Sequence, residues 1–323
     1  MRRRMSIALT LGVAAGALAV GPLVTADAAT TAGDPFSLTN GLFVNSALPA
    51  ARWVAANPGH PAVGAIRTSI STAPMARWFT ATSDPDIGAA VAKYTGTAVS
   101  AGDRLPMLVA YNLPGRDACG GESSGGAPNA AAYKQWISTF AAAIGDRPAL
   151  VVIEPDSLGD FECLTAAQIA ERNTLLDYAG RMFAEKAPNT WAYLDAANPN
   201  WVSPAVMAQR LTAAGVARVH GFAVNVSNYV DTATSREYAA QIRSGLGAAT
   251  PYLIDTSRNG NGYNGQWCNP AGRKIGARST SDRTALQLWI KNPGNSDGTC
   301  GIAPSTPAGT FSPVLANRLI AGS

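Results

Sequence analysis

The chain has 323 residues, of which 47% are hydrophobic and 14% charged, and a formal net charge of +4. Lys and Arg gather into no phosphate-binding stripe, which argues against nucleic acid as a partner. Gly, Ala, Ser, Thr and Asn are abundant instead, as suits an exported protein with neutral partners.

Arg2-Arg3-Arg4 precede an apolar run from Ile7 to Val24, and Ala26-Asp27-Ala28-Ala29 follow it. A charged, an apolar and a small-residue region in that order predict a secretory signal over residues 1–29. A membrane anchor is the competing reading; the small-residue exit and the missing stop-transfer flank favour cleavage. Removing Arg2, Arg3, Arg4 and Asp27 takes the charge from +4 to +2. Residues 30–41 read as a loose N-terminal segment, and 42–323 as one domain able to bury a single large core. Export also predicts that the four cysteines form disulfides. Three pairings are possible, and proximity in sequence favours Cys119–Cys163 and Cys268–Cys300. A zinc site is disfavoured, because no Cys-x-x-Cys pair occurs and His60 and His220 are the only histidines.

Along the chain, Ser46–Ala56 is helix-like and Asn57–Pro61 breaks it. Ala76–Phe79 is a short strand, and Asp84–Tyr94 a helix opened by Asp84-Pro85-Asp86. Met107–Tyr111 is a strand that breaks at Asn112–Gly115 into Arg116-Asp117, and Asn129–Ile144 is a helix. Ala149–Glu154 is a strand, and Thr165–Lys186 a helix with a capping-box pair in Thr165 and Gln168. Strands at Thr190–Asp195, Gly221–Val226, Thr250–Asp255 and Ala285–Ile290 follow, with helices at Ser203–Ala214 and Ser235–Gly245. This alternation predicts an α/β fold with a parallel sheet and right-handed crossovers. Polar residues close successive strands: Asp117, Asp156, Asp195, Asn225, Asp255 and Asp297. In a barrel they would converge on one rim, so a closed barrel is preferred to a doubly wound sheet.

Several carboxylates at one rim, with no metal-ligand cluster, predict acid–base hydrolysis of a neutral polymer. Glycosidic cleavage needs an acid for the leaving oxygen and a carboxylate that activates water or attacks carbon. Seven tryptophans suit the flat faces of sugar rings, although any one could equally be core packing. A serine triad is excluded, since no Gly-x-Ser-x-Gly elbow occurs and His220 enters a strand rather than following the last one.

Val109–Asp117, with Ser123–Pro128 after it, resembles the first signature of glycoside hydrolase family 6, and Leu150–Leu158 resembles the second. Tyr193–Ala196, Asn225–Tyr229, Ile254–Gly260, Trp267-Cys268 and Trp289–Lys291 follow in family order. The resemblance implies a secreted β-1,4-glucanase acting with inversion on cellulose-like chains, on a distorted TIM-like barrel of about seven parallel strands. It implies Asp117 as general acid, Asp156 beside it raising its pKa by like charge, and Asp297 as a base acting through waters. Trp53, Asn198, Trp201, Asn228, Trp267, Trp289 and Lys291 would bind sugar. No cofactor, metal, nucleic acid or lasting membrane association is expected, and the protein is expected to be a monomer.

The chain departs from the family pattern at four places. Ala118 separates Asp117 from Cys119; Asn295 and Asn198 replace a glutamate and a histidine; and the further aspartate after the Trp-Phe strand has only Asp84 and Asp86 as loose candidates. Short connections over 156–165 and 278–289 predict an open cleft and attack within chains. Action from chain ends, as a cellobiohydrolase, and a catalytically weakened cello-oligosaccharide-binding protein are the alternatives. No linker to an attached cellulose-binding module is recognised.

Overall fold

The computed structural model describes residues 33–247, 249–278, 283 and 285–323; the expected signal segment lies outside them. Among the described residues no helix is long and apolar enough to cross a membrane. Residues 33–41 form turns tied to the domain, with Gly33 N donating to Pro188 O at 3.1 Å and Phe36 packed on Trp191.

Seven strands carry the fold: β1 (Arg77–Phe79), β2 (Met107–Ala110), β3 (Ala149–Ile153), β4 (Thr190–Asp195), β5 (Gly221–Val224), β6 (Tyr252–Asp255) and β7 (Ala285–Leu288). They pair in sequence order, and every pair is parallel. A doubly wound sheet would reverse its strand order at a switch point, and this one does not. β2, β3 and β4 are buried along their whole length, which is why they read as continuous apolar runs rather than alternating ones.

No ladder joins β7 to β1 among the described residues. The seam is made by Ala76 N on Trp289 O at 3.0 Å, Trp78 Nε1 on Ile290 O at 2.9 Å and Asn292 Nδ2 on Ala76 O at 2.8 Å. The barrel is therefore curled and distorted rather than evenly closed.

The helices are α1 (Pro49–Ala56), α2 (Val63–Ile66), α3 (Ile87–Ser100), α4 (Ala130–Ile144), α5 (Ala166–Lys186), α6 (Pro204–Ala213), α7 (Thr232–Leu246) and α8 (Pro313–Ala321). α3 to α7 follow β1 to β5, and their apolar faces pack with the outward side chains of the strands. Side chains such as Val109, Leu150 and Tyr193 fill the barrel interior. A third cluster joins α1, α2 and α8 around Trp289.

Local chemistry sets several boundaries. Asp86 accepts from Ala89 N, so α3 starts at Ile87 rather than Asp84. Asp231 caps α7, which begins at Thr232, three residues before the expected start, and Thr165 with Gln168 forms the expected capping box on α5. α2, the single turn Arg67–Ser71 after it, and α8 were not expected from the sequence. They are short, and tertiary packing supplies what propensity does not. Both expected disulfides are formed, with Cα atoms 5.3 Å apart for Cys119–Cys163 and 5.9 Å for Cys268–Cys300.

Candidate active site

A cleft of about 1740 Å³ opens over the carboxyl ends of the strands, where a parallel barrel places its chemistry. Asp117, Asp156 and Asp297 all line it, as do Asn198, Trp201, Asn228, Trp267 and Lys291. Trp289 does not. It is 1% exposed, its indole N–H donates to Ala277 O at 3.1 Å, and it anchors the cluster beneath α1 and α8. Burial thus corrects the expectation that Trp289 contacts sugar. Trp53 is also absent from the lining, packing edge-on against His60 and beside Phe311. Trp78 also lines the cleft, with its ring edge-on to Tyr111.

Only three of the six polar strand-end residues face the cleft. Asp195, Asn225 and Asp255 are 1%, 0% and 0% exposed and bind main chain beneath the rim. Asp195 Oδ2 accepts from Asp156 N at 2.9 Å and Ala197 N at 3.1 Å. Asp255 accepts from Ser227, Ser257, Ile290 and Lys291 N–H groups at 2.9–3.2 Å. Asn225 donates to Asp255 O and accepts from Val230 N. These side chains continue the hydrogen bonding of the sheet where the strands diverge, and buried amides need such partners.

Asp117 sits on the loop after β2, in a left-handed backbone conformation with φ 53°. Its Oδ2 accepts from Tyr111 Oη at 3.1 Å and Ser123 N at 3.2 Å. Gly121 is required beside it, since an added Cβ would lie 2.2 Å from Asp117 Cβ. Arg116 makes no ion pair with Asp117. It donates to Tyr111 O and Ser123 O and lies over the Tyr111 ring, bracing the loop. On α5, the buried Arg172 donates to Gly115 O, Ser157 O and Asp160 O, fastening this loop to the next one.

Burial raises the Asp117 carboxyl above the ordinary range; the Tyr111 hydrogen bond opposes this and the Asp160 charge adds to it. Asp156 and Asp117 bear on each other as like charges, and Asp160 adds to both. Asp156 is itself raised well above the ordinary range, by burial and then by Asp195 and Asp117.

Asp297 presents the reverse case. Its Oδ2 accepts from Arg258 Nη1 at 2.9 Å, Tyr229 Oη at 2.9 Å and Asn269 N at 3.1 Å, and Lys291 Nζ lies 3.0 Å from Oδ1. Burial would raise this carboxyl, but Arg258 and then Lys291 outweigh it and bring it down to about 2. Arg258 was missed from the sequence. It lies in the quoted Ile254–Gly260 motif, but nothing in the sequence links it to a residue 39 positions later.

The loops carrying Asp117 and Asp297 also touch each other. Glu122 Oε2 accepts from Thr299 N at 3.1 Å and Thr299 Oγ1 at 3.2 Å, and its stem lies where a Cβ on Gly298 would be. Asp84 pairs with Arg77 at 2.5 Å on the cleft wall and Asp86 caps α3, so each loose candidate has a partner outside the acid–base set. Asn295 lines the cleft, next but one to Asp297.

The model of glycosyl hydrolases family 6 matches residues 39–323. Endoglucanase 1 of Streptomyces halstedii is 49% identical over 296 residues, covering 90% of this chain and 92% of the relative. Endoglucanase A of Thermobispora bispora is 40% identical, covering 96% of this chain and 68% of the relative. The solved endoglucanase Cel6 of Mycobacterium tuberculosis, in complex with methyl-cellobiosyl-4-deoxy-4-thio-β-D-cellobioside, is 36% identical with a TM-score of 0.80, covering 91% of this chain and 99% of that one. With a match spanning the whole domain and relatives this similar, the chain belongs to glycosyl hydrolases family 6.

Proposed function

We propose that the protein is a secreted endo-β-1,4-glucanase that hydrolyses cellulose-like chains with inversion. Asp117 protonates the leaving oxygen, and Asp297 accepts a proton from the attacking water through intervening water. The observation that carries this reading is the opposite displacement of two carboxyls in one cleft, Asp117 raised and Asp297 lowered to about 2. Groups displaced in this way keep a proton donor and an ionised acceptor together at one pH. A carboxylate near 2 is a weak base, and its pairing with Arg258 and Lys291 suits contact with an ordered water rather than direct deep proton capture.

The bound thio-oligosaccharide and the names of the relatives support the substrate class. The 156–164 segment supports attack within chains: it is a tight turn, with Gly159 N on Asp156 O and Leu164 N on Phe161 O, and forms no long roof. Secretion is supported by the two disulfides.

Proton NMR during hydrolysis of a soluble cello-oligosaccharide tests the mechanism. The α-anomer should appear first; initial release of the β-anomer would overturn inversion, and no new reducing ends would overturn the activity. A fast viscosity drop per reducing end on a soluble β-glucan is expected for internal cutting. The Glu122–Thr299 contact favours one other reading, chain-end attack, because it joins two loops beside the cleft. Cellobiose as the sole early product would select that reading.

A further inference from the structure

We propose that Tyr263 is a substrate-contacting residue that forms an aromatic platform with Trp267 at the edge of the cleft and sets a preference for longer β-1,4-glucan chains. This rests on the reading of the protein as a glucanase, and on no assignment of acid or base. Among the described residues, Tyr263 and Trp267 are the two aromatic side chains left exposed, at 37% and 49%. Both line the cleft, and they stand four positions apart on one loop. Leaving two large rings in water forgoes the free energy of burying them, and apolar surface kept open beside a cleft marks a contact site.

The loop is pinned on both sides of Tyr263. Gly260 N donates to Lys274 O at 2.9 Å, and Gly262 N to Asn259 O at 3.1 Å. Arg273 donates to Asn261 O at 3.0 Å and to Gly262 O, while Asn261 Nδ2 reaches Gly272 O at 2.9 Å and Asn264 Nδ2 reaches Ala271 O at 3.3 Å. Past Trp267 the chain is fixed by the Cys268–Cys300 disulfide and by Asn269 N on Asp297 Oδ2 at 3.1 Å. A loop held in this way presents its rings with little ordering left to be lost on binding. Tyrosine and tryptophan suit the task, since each offers a flat face with only two side-chain torsions to fix. The C–H face of a pyranose ring can lie on such a face, and the Tyr263 hydroxyl can meet a sugar hydroxyl at the ring edge. Trp267 stands two residues from a direct partner of Asp297, and Tyr263 six. That offset assigns Tyr263 to a sugar beyond the one at Trp267, which a short oligosaccharide leaves unfilled.

Calorimetry with a ladder of thio-linked cello-oligosaccharides, from the disaccharide to the hexasaccharide, and kinetics on a soluble β-1,4-glucan test the proposal on Tyr263→Ala and Tyr263→Phe. Tyr263→Ala should weaken binding of the longest ligand about three- to tenfold and raise KM on the polymer to match. Binding of the shortest ligand and kcat should stay within about twofold of the parent. Tyr263→Phe keeps the ring and should retain most of the affinity that Tyr263→Ala loses. Equal loss at every ligand length would show a disturbed loop and overturn the role. Unchanged affinity for the longest ligand in Tyr263→Ala, while the parent binds it, would overturn the role and leave the glucanase reading standing. Sedimentation that shows a dimer of the parent, lost in Tyr263→Ala, with no length-dependent change in binding, would assign the rings to a second copy instead and overturn it too. A parent protein that binds and hydrolyses no β-glucan would sink the glucanase reading and this proposal together.

Discussion

The loops carrying Asp117 and Asp297 pose the same physical problem and solve it in opposite ways. Both aspartates lie mostly out of water, and burial pushes both carboxyls up. Around Asp117 the donors are neutral, a tyrosine hydroxyl and a backbone amide, while the nearby arginine is turned onto carbonyls. Around Asp297 two cations reach the carboxylate directly. Burial alone therefore does not set whether a carboxyl is raised or lowered. The charge of the nearest partner does, because in a low-dielectric site one ion pair can outweigh desolvation.

The comparison breaks most sharply at the acid. Asp117→Asn should lower kcat on a soluble β-1,4-glucan by about 10³-fold or more while leaving oligosaccharide binding intact; wild-type turnover would remove Asp117 from the mechanism. Next in size is Arg258→Leu, which leaves a buried carboxylate with Lys291 as its one ion-pair partner. Denaturant melts should show a loss of about 3–5 kcal/mol. In any folded fraction the carboxyl of Asp297 should titrate above its present value of about 2, and an unshifted carboxyl resonance would show that Arg258 does not set its charge.

A smaller effect should appear in the pH dependence of stability. Burial raises Glu154 from 4.5 to about 7 and Asp195 from 3.8 to about 7, despite the amides that both accept. A raised carboxyl means that the folded state binds more protons than the unfolded one. Stability contributed by protonation is then lost as pH rises from about 4 to about 7, on the order of a few kcal/mol in total. Asp297 acts in the other direction, its contribution being present above 3.8 and lost as pH falls towards about 2. Thermal melts should therefore peak in the mildly acidic range; a melting temperature that climbs steadily up to pH 7 would contradict the sign. On the proposed role of Asp117 as proton donor, activity should also fall as pH rises through its raised pKa.

The smallest effect concerns the tie between the two regions. Glu122→Ala removes an exposed hydrogen-bond pair and should cost about 1 kcal/mol or less in stability. Its informative readout is the product pattern. A shift towards longer early products would mean that the contact confines the chain, and an unchanged pattern would mean that it does not.

Residue order alone determined the seven strands, all within two residues of their observed ends, most directly for β2 and β3, whose full burial makes them apolar from end to end. It also determined that Asp117, Asp156 and Asp297 would sit on one face, since strand ends in a parallel barrel share a direction. The disulfide pairing followed from proximity along the chain. What only the tertiary structure decided was partnership across distance. Arg258 meets Asp297, and Glu154 grips Asn112 across 42 positions. Trp289 and Trp267 look alike in sequence, yet one is 1% and the other 49% exposed. Periodicity reports whether a side chain is buried in its own element, but a pKa and a sugar contact depend on the neighbours that other elements bring. The aspartates could be counted from the sequence; only the packing of the strand ends raised the carboxyl of one and lowered that of another.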